Sequence, residues 1–190
     1  SLIYMVRELI KQTGCEYSGF YDAITPQLVE YLKSPERLSK RLILFGVSYS
    51  LLDLVESYQF SLADAIVFET GGMKGRREEL HSILTKGLGV NSIASEYGMT
   101  ELFSQAYSKG SGIYNCPPWM KIAIRDVNSP LIRVPRGRAG GIDVIDLANI
   151  YSCSFISTQD IGRMHNDGSF EVQGRFDYSD TRGCNLLTVM

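Results

Sequence analysis

Residues 41–86 alternate two apolar patterns, and this alternation limits the fold more than any other feature of the sequence. Residues 41–46 (RLILFG) are a short apolar run closed by glycine, which reads as a buried strand. Residues 48–58 carry apolar side chains at helical spacing, residues 65–69 (AIVFE) form a second strand-like run, and a glycine loop leads into helical residues 77–86. Strands alternating with helices predict parallel βα units, because parallel neighbours need a crossover between them. Upstream, residues 2–10 have helical apolar spacing and stop at Gly14, which predicts a core-facing helix. Thr25 and Pro26 supply a cap and a first-turn proline for a second helix carrying Leu28, Val29 and Leu32.

The second half is β-rich. Residues 120–125 alternate apolar and polar, Asn128, Ser129 and Pro130 make a turn, and residues 131–134, 141–145 and 153–157 are strand-like. Asn166, Asp167 and Gly168 separate residues 163–165 from 169–172, a hairpin signal because Asp-Gly tolerates positive φ. The expected organisation is one unit: an α/β subregion over 1–115, a β-rich subregion over 116–176 and a tail over 177–190.

With 190 residues the chain can bury a substantial core, and its formal charge of −2, with both signs interspersed, offers no surface for nucleic acid. Cys15, Cys116, Cys153 and Cys184 are scattered, and His81 and His165 lie far apart, which argues against zinc and for reduced thiols in a cytoplasmic protein. No stretch reaches the ~20 apolar residues that span a bilayer.

Three loops combine glycine with polar groups after apolar strands, where α/β sheets bind ligands. In the first, Thr70, Gly71 and Gly72 allow close backbone approach to a ring or phosphate, while Lys74, Arg76 and Arg77 bring positive charge to a helix start. The spacing is not that of a Walker loop, and a plain glycine turn explains it equally well. In the second, the run Tyr97, Gly98, Met99, Thr100 and Glu101 offers a ring to stack on a base, close approach, a hydroxyl for a phosphate oxygen and a carboxylate for Mg²⁺. In the third, Asp160 can accept both hydroxyls of a ribose and Arg175 can hold the same sugar, although singly each reads as a turn or surface residue.

Together these loops resemble the adenylate-forming superfamily of acyl-CoA synthetases and luciferases, and within it the acyl-protein synthetase family of the LuxE type. The resemblance runs through residues 45–53, 69–76, 96–101 and 174–186. It implies the C-terminal part of an adenylate-forming large domain, with ATP and Mg²⁺ as cofactors and a carboxylic, notably fatty, acid as substrate. Thr70, Gly71 and Gly72 would border the adenine and Tyr97 would lie against it, with Gly98 and Met99 beside it. Thr100 would touch the α-phosphate, Glu101 the magnesium, and Asp160 and Arg175 the ribose. Asp177 falls where larger relatives hinge, and Cys184 where LuxE-type enzymes carry the acyl-accepting cysteine, which they unload onto a reductase.

Chemistry supports Cys184 independently. A thiolate intercepts a mixed anhydride well, and Arg182 would lower the thiol pKa, although a cysteine beside Leu186 and Leu187 also reads as a small buried hydrophobe. The superfamily's Ser/Thr/Gly-rich phosphate loop is expected upstream of residue 1. The resemblance to LuxE-type proteins carries the expectation that no lysine-bearing small domain of the acyl-CoA synthetases follows Arg175, which would favour the acyl-protein reading over a CoA ligase. A nucleotide-binding scaffold is the other alternative. A remoter competitor is an α/β-hydrolase, because Gly46, Val47, Ser48, Tyr49 and Ser50 approximate a nucleophile elbow, with Ser50 where the elbow needs glycine.

Overall fold

The computed structural model describes residues 2–34, 41–71 and 77–176. Gly72, Lys74, Arg76, Asp177, Arg182 and Cys184 lie outside the described residues. Among the described residues, four α-helices, α1 (Leu2–Thr13), α2 (Pro26–Lys33), α3 (Ser48–Ser57) and α4 (Arg77–Leu88), accompany nine strands. The strands are β1 (Ile43–Val47), β2 (Ile66–Thr70), β3 (Ile93–Tyr97), β4 (Ala106–Ser108), β5 (Ile113–Asn115), β6 (Met120–Arg125), β7 (Ala139–Asp146), β8 (Phe155–Met164) and β9 (Phe170–Arg175). They form one sheet in the order β1-β2-β3-β4-β5-β9-β8-β7-β6.

β1, β2 and β3 pair in parallel, as the alternating patterns require, and every other pairing is antiparallel. Val67 and Ile93 point to the face covered by α3 and α4, where Leu51, Leu54, Val55, Leu80, Leu84 and Leu88 complete a core. Each such side chain contributes about 1.5–3 kcal/mol by leaving water. A second core joins Tyr97, Leu102, Tyr114, Ile122, Ile142 and Phe170 across the antiparallel strands. Thr25 caps α2 by accepting from the Leu28 amide at 3.2 Å. The β8–β9 hairpin turns at Gly168 with φ +90°, a conformation open to glycine.

Several expectations need correction. α1 forms but buries none of its residues, and Ile3 is 70% exposed, so the helix is amphipathic without being core-facing. Residues 131–134 make no strand; Arg133 forms a lone bridge to Arg125 and Leu131 is fully solvated. The run expected over 153–157 begins at Phe155 and continues through Asp160 to Met164, so Asp160 sits inside a strand, as does Arg175 at the end of β9. β4 and β5, of three residues each, are too short to show a pattern of their own. Among the described residues, Cys116 and Cys153 are free thiols and no helix is long and apolar enough to cross a membrane.

Candidate functional site

Tyr97 is the last residue of β3, and its ring is buried between Tyr114 and Phe170, with centroids 5.9 and 5.3 Å away. Its hydroxyl donates to Oδ2 of Asp160 at 2.9 Å. Asp160, 2% exposed, is the register partner of Arg175, whose Nε lies 3.3 Å from Asp160 Oδ1. A buried carboxylate is tolerable when its oxygens are engaged by a donor and a cation. The sheet thus gathers three of the sequence-assigned residues from β3, β8 and β9. The ring expected to lie against adenine is packed within the aromatic cluster.

The chain leaves β3 through Gly98. A Cβ there would stand 2.9 Å from Glu96 Oε1 and 3.3 Å from Gln105 Cγ, so a larger residue would have to displace the end of the Glu96 side chain. Met99 is half-buried against the second core, and its carbonyl accepts from the Leu102 amide at 3.1 Å. Thr100 and Glu101 are exposed at the rim.

Residues from the far end of the sheet fasten this loop, and the sequence reading had not singled them out. Asp146, fully buried, accepts from the Phe103 and Ser104 amides at 2.9 Å each, from Ser104 Oγ at 2.6 Å and from the Ala148 amide at 3.1 Å. Burial opposes its charge, but the Ser104 hydroxyl and these amides outweigh it and hold the carboxyl below its ordinary value. Asn149 Nδ2 donates to the Glu101 carbonyl at 2.7 Å and to the Cys153 carbonyl at 2.9 Å. Trp119 Nε1 donates to Ser104 Oγ at 2.9 Å. The available signal was Asp146 itself, an N-cap type directly before the short 3₁₀ turn Leu147–Asn149.

Beneath the first glycine loop lies a buried polar cluster. Glu69 is 2% exposed; Ser48 Oγ donates to its Oε1, and His81 Nε2 lies 3.9 Å from its Oε2 and 3.3 Å from Ser95 Oγ. Thr70 Oγ1 reaches the Gly46 carbonyl at 3.5 Å, and Gly71, with φ +104°, is exposed above it. This geometry speaks against the hydrolase alternative. Ser48 is buried and directed at a carboxylate rather than an imidazole, while the acid and Ser95 share one nitrogen of His81 instead of engaging opposite ones.

Among the described residues no group of three His, Cys, Asp or Glu side chains could hold a metal. Glu101 offers one exposed carboxylate beside the exposed Thr100, a donor set that fits a hard cation whose remaining ligands are phosphate oxygens and water.

No protein-family model matches the sequence, and neither does any curated protein. Solved structures do match in fold. MatB from Rhodopseudomonas palustris with bound ATP superposes with a TM-score of 0.60 at 17% identity, over 82% of this chain and 34% of that one. The luciferase-like enzyme of the nonluminescent mealworm Zophobas morio gives 0.56 at 17% identity, over 82% and 42%. The O-succinylbenzoate coenzyme A synthetase MenE of Bacillus subtilis, in complex with AMP, gives 0.51 at 20% identity, over 70% and 31%. The chain therefore spans about a third of the MatB and MenE chains and somewhat more of the mealworm enzyme. The chain shares its mixed α/β fold with part of each of these enzymes.

Proposed function

We propose that the protein activates a carboxylic acid with ATP as an acyl-adenylate and passes the acyl group to Cys184, as an acyl-protein synthetase does. The observation that carries this reading is the junction of Tyr97, Asp160 and Arg175 beside the Thr100–Glu101 loop, on a fold shared with ATP-bound and AMP-bound structures. Asp160 accepts from the ribose hydroxyls and Arg175 holds the same sugar. Thr70, Gly71 and Gly72 border the base, and Gly98 and Met99 lie beside it. The Thr100 hydroxyl donates to an α-phosphate oxygen. Glu101 would hold Mg²⁺, which would supply positive charge to the phosphate oxygens.

A carboxylate oxygen of the acid attacks the α-phosphorus; the new O–P bond forms as the bond to the departing pyrophosphate breaks. No general base is needed, because the acid is ionised at neutral pH. The Cys184 thiolate then attacks the acyl carbon, a thioester forms and AMP leaves. A fatty acid as substrate and an acyl-accepting reductase as recipient complete the reading. The fold shared with a coenzyme A synthetase favours a second version, in which coenzyme A is the acceptor.

Full-length protein is expected to exchange labelled pyrophosphate into ATP only when a carboxylic acid is present; no exchange with any acid counts against adenylation. Labelled acid plus ATP is expected to leave a hydroxylamine-sensitive adduct on the wild type, reduced at least about tenfold in Cys184→Ser. Equal labelling of that variant, or transfer only to added coenzyme A, refutes the acyl-protein step while leaving adenylation intact.

A further inference from the structure

β7 and β8 fall out of step where Asp160 lies. From the pair Asp143–Ser157 to the pair Gly141–Ile161, β7 advances by two residues while β8 advances by four, so β8 carries a bulge with two extra residues. Among the described residues, Thr158 and Gln159 form no register pair with β7 or β9, and Asp160 pairs with Arg175 of β9. Bulges recur beside functional sites, where they aim a side chain, and the extra residues leave the ladder locally incomplete. Buried backbone carbonyls in such a gap need donors from elsewhere.

Arg125, the last residue of β6, supplies them. It is 8% exposed, and its register partner on β7 is Gly141. A Cβ on Gly141 would stand 2.6 Å from Arg125 Cζ, so the guanidinium occupies the space a side chain there would take and crosses β7 to reach β8. Its Nη1 donates to the Ile142 carbonyl at 2.9 Å and to Asp143 Oδ1 at 2.6 Å, and its Nη2 donates to the Thr158 carbonyl at 2.6 Å. Thr158 Oγ1 donates to the same Ile142 carbonyl at 2.9 Å and accepts from the Asp160 amide at 3.1 Å. Phe176, just past Arg175, lays its ring 5.6 Å from Arg125 Cζ, and its amide donates to the Gln159 carbonyl at 3.0 Å. A buried ion pair by itself stabilises little, because desolvation offsets the attraction. What the guanidinium adds is a rigid fork of donors that fixes the bulge between β7 and Asp160.

We infer that Arg125 is a positioning residue for the nucleotide: by fastening the β8 bulge it holds the Asp160 carboxylate where it accepts the ribose hydroxyls, and so sets how strongly the site prefers a ribonucleotide to a deoxynucleotide. This rests on the reading of Asp160 as the ribose acceptor and adds a residue that acts through it. An acceptor held in place penalises the analogue that lacks the hydroxyl, whereas one free to shift discriminates weakly.

The test is calorimetric titration of full-length protein with ATP, 2′-deoxy-ATP and 3′-deoxy-ATP. Wild type is expected to bind ATP more tightly than at least one deoxynucleotide by about tenfold or more, and in Arg125→Met that ratio is expected to fall to about twofold or less. Arg125→Lys keeps a cation but not the fork, so its ratio is expected to lie between the two. Gly141→Ala retains the arginine but displaces its guanidinium and is expected to lower the ratio as well, which keeps the test open where Arg125→Met fails to fold. In an Asp160→Asn background, Arg125→Lys is expected to change ATP affinity by less than about twofold, because its effect runs through the carboxylate. Unchanged ratios in Arg125→Lys and Gly141→Ala, even with lowered melting temperatures, overturn the proposal and leave the arginine serving the fold alone. Additive losses of ATP affinity in the double variant overturn it too. Wild type that binds ATP without preferring it to either deoxynucleotide removes the ribose role of Asp160 and this inference with it, and wild type that binds no ATP removes the nucleotide reading altogether; the other adverse outcomes leave both standing.

Discussion

Asp160→Ala is expected to destabilise the protein by about 3–5 kcal/mol and to lower kcat/KM for ATP at least about a hundredfold. The stability term follows from burial. The substitution removes the acceptor of the Tyr97 hydroxyl, in a ring 5% exposed, and the carboxylate 3.3 Å from Arg175 Nε. A phenol and a guanidinium then lose their shared partner where water barely enters. Asp160→Asn separates this from ligand binding, because an amide still accepts from Tyr97 but carries no charge and is a poorer acceptor for two hydroxyls. Its melting temperature should fall less than that of the alanine variant while ATP binding weakens comparably. Calorimetric titration with ATP beside thermal melting of both variants decides the matter. An asparagine variant with wild-type ATP affinity would show that the carboxylate serves the fold alone.

Asp146→Ala should be equally severe by a different route. Asp146 is fully buried and receives four hydrogen bonds, from Phe103, from Ser104 twice and from Ala148. Alanine leaves those donors unsatisfied, at about 1–3 kcal/mol each before relaxation, and a net loss of about 3–5 kcal/mol is expected. Hydrogen exchange at the Phe103 and Ser104 amides should rise well beyond what global destabilisation explains, since the loop carrying Thr100 and Glu101 loses its clamp. The same carboxyl predicts a pH signature. Its folded pKa lies below the unfolded value, so its contribution is complete above about pH 4 and is lost as pH falls through the folded pKa. Wild type should therefore lose stability on acidification below about pH 4 more steeply than Asp146→Ala. Parallel slopes in urea unfolding between pH 5 and 3 would contradict this assignment.

The parallel half was legible because its signals are local. The apolar runs at residues 41–46 and 65–69, the Thr25 cap and the Asp167-Gly168 turn each report the conformation of their own segment, and β1, β2, α2 and the β8–β9 hairpin form there. Amphipathicity alone misjudged α1: apolar spacing shows that a helix has an oily side without showing what lies against it. The continuity of β8 through Asp160 was hidden because a glycine, Gly162, interrupts its second half, residues 160–164 (DIGRM), and pairing to β7 and β9, not composition, keeps it extended. Tyr97, Asp160 and Arg175 were named from the sequence, but their mutual contact depends on register across strands. Asp146, Asn149 and Trp119 were not singled out for a related reason, since the partners through which they fasten the loop lie 15 to 48 positions away.

The clamp on the loop after β3 also bears on how the chain acquires its form. Ser104 precedes Asp146 by 42 residues, and Glu101 precedes Asn149 by 48. At synthesis rates of about 5–20 residues per second, the loop emerges roughly 2–10 s before the residues that hold it. During that interval β3 can already pair with β2, while the Phe103 and Ser104 amides still lack their native acceptor. The loop is thus set after the parallel strands, once Asp146 and Asn149 emerge, and a ribosome-stalled chain ending before Asp146 should carry the parallel strands without the ordered loop.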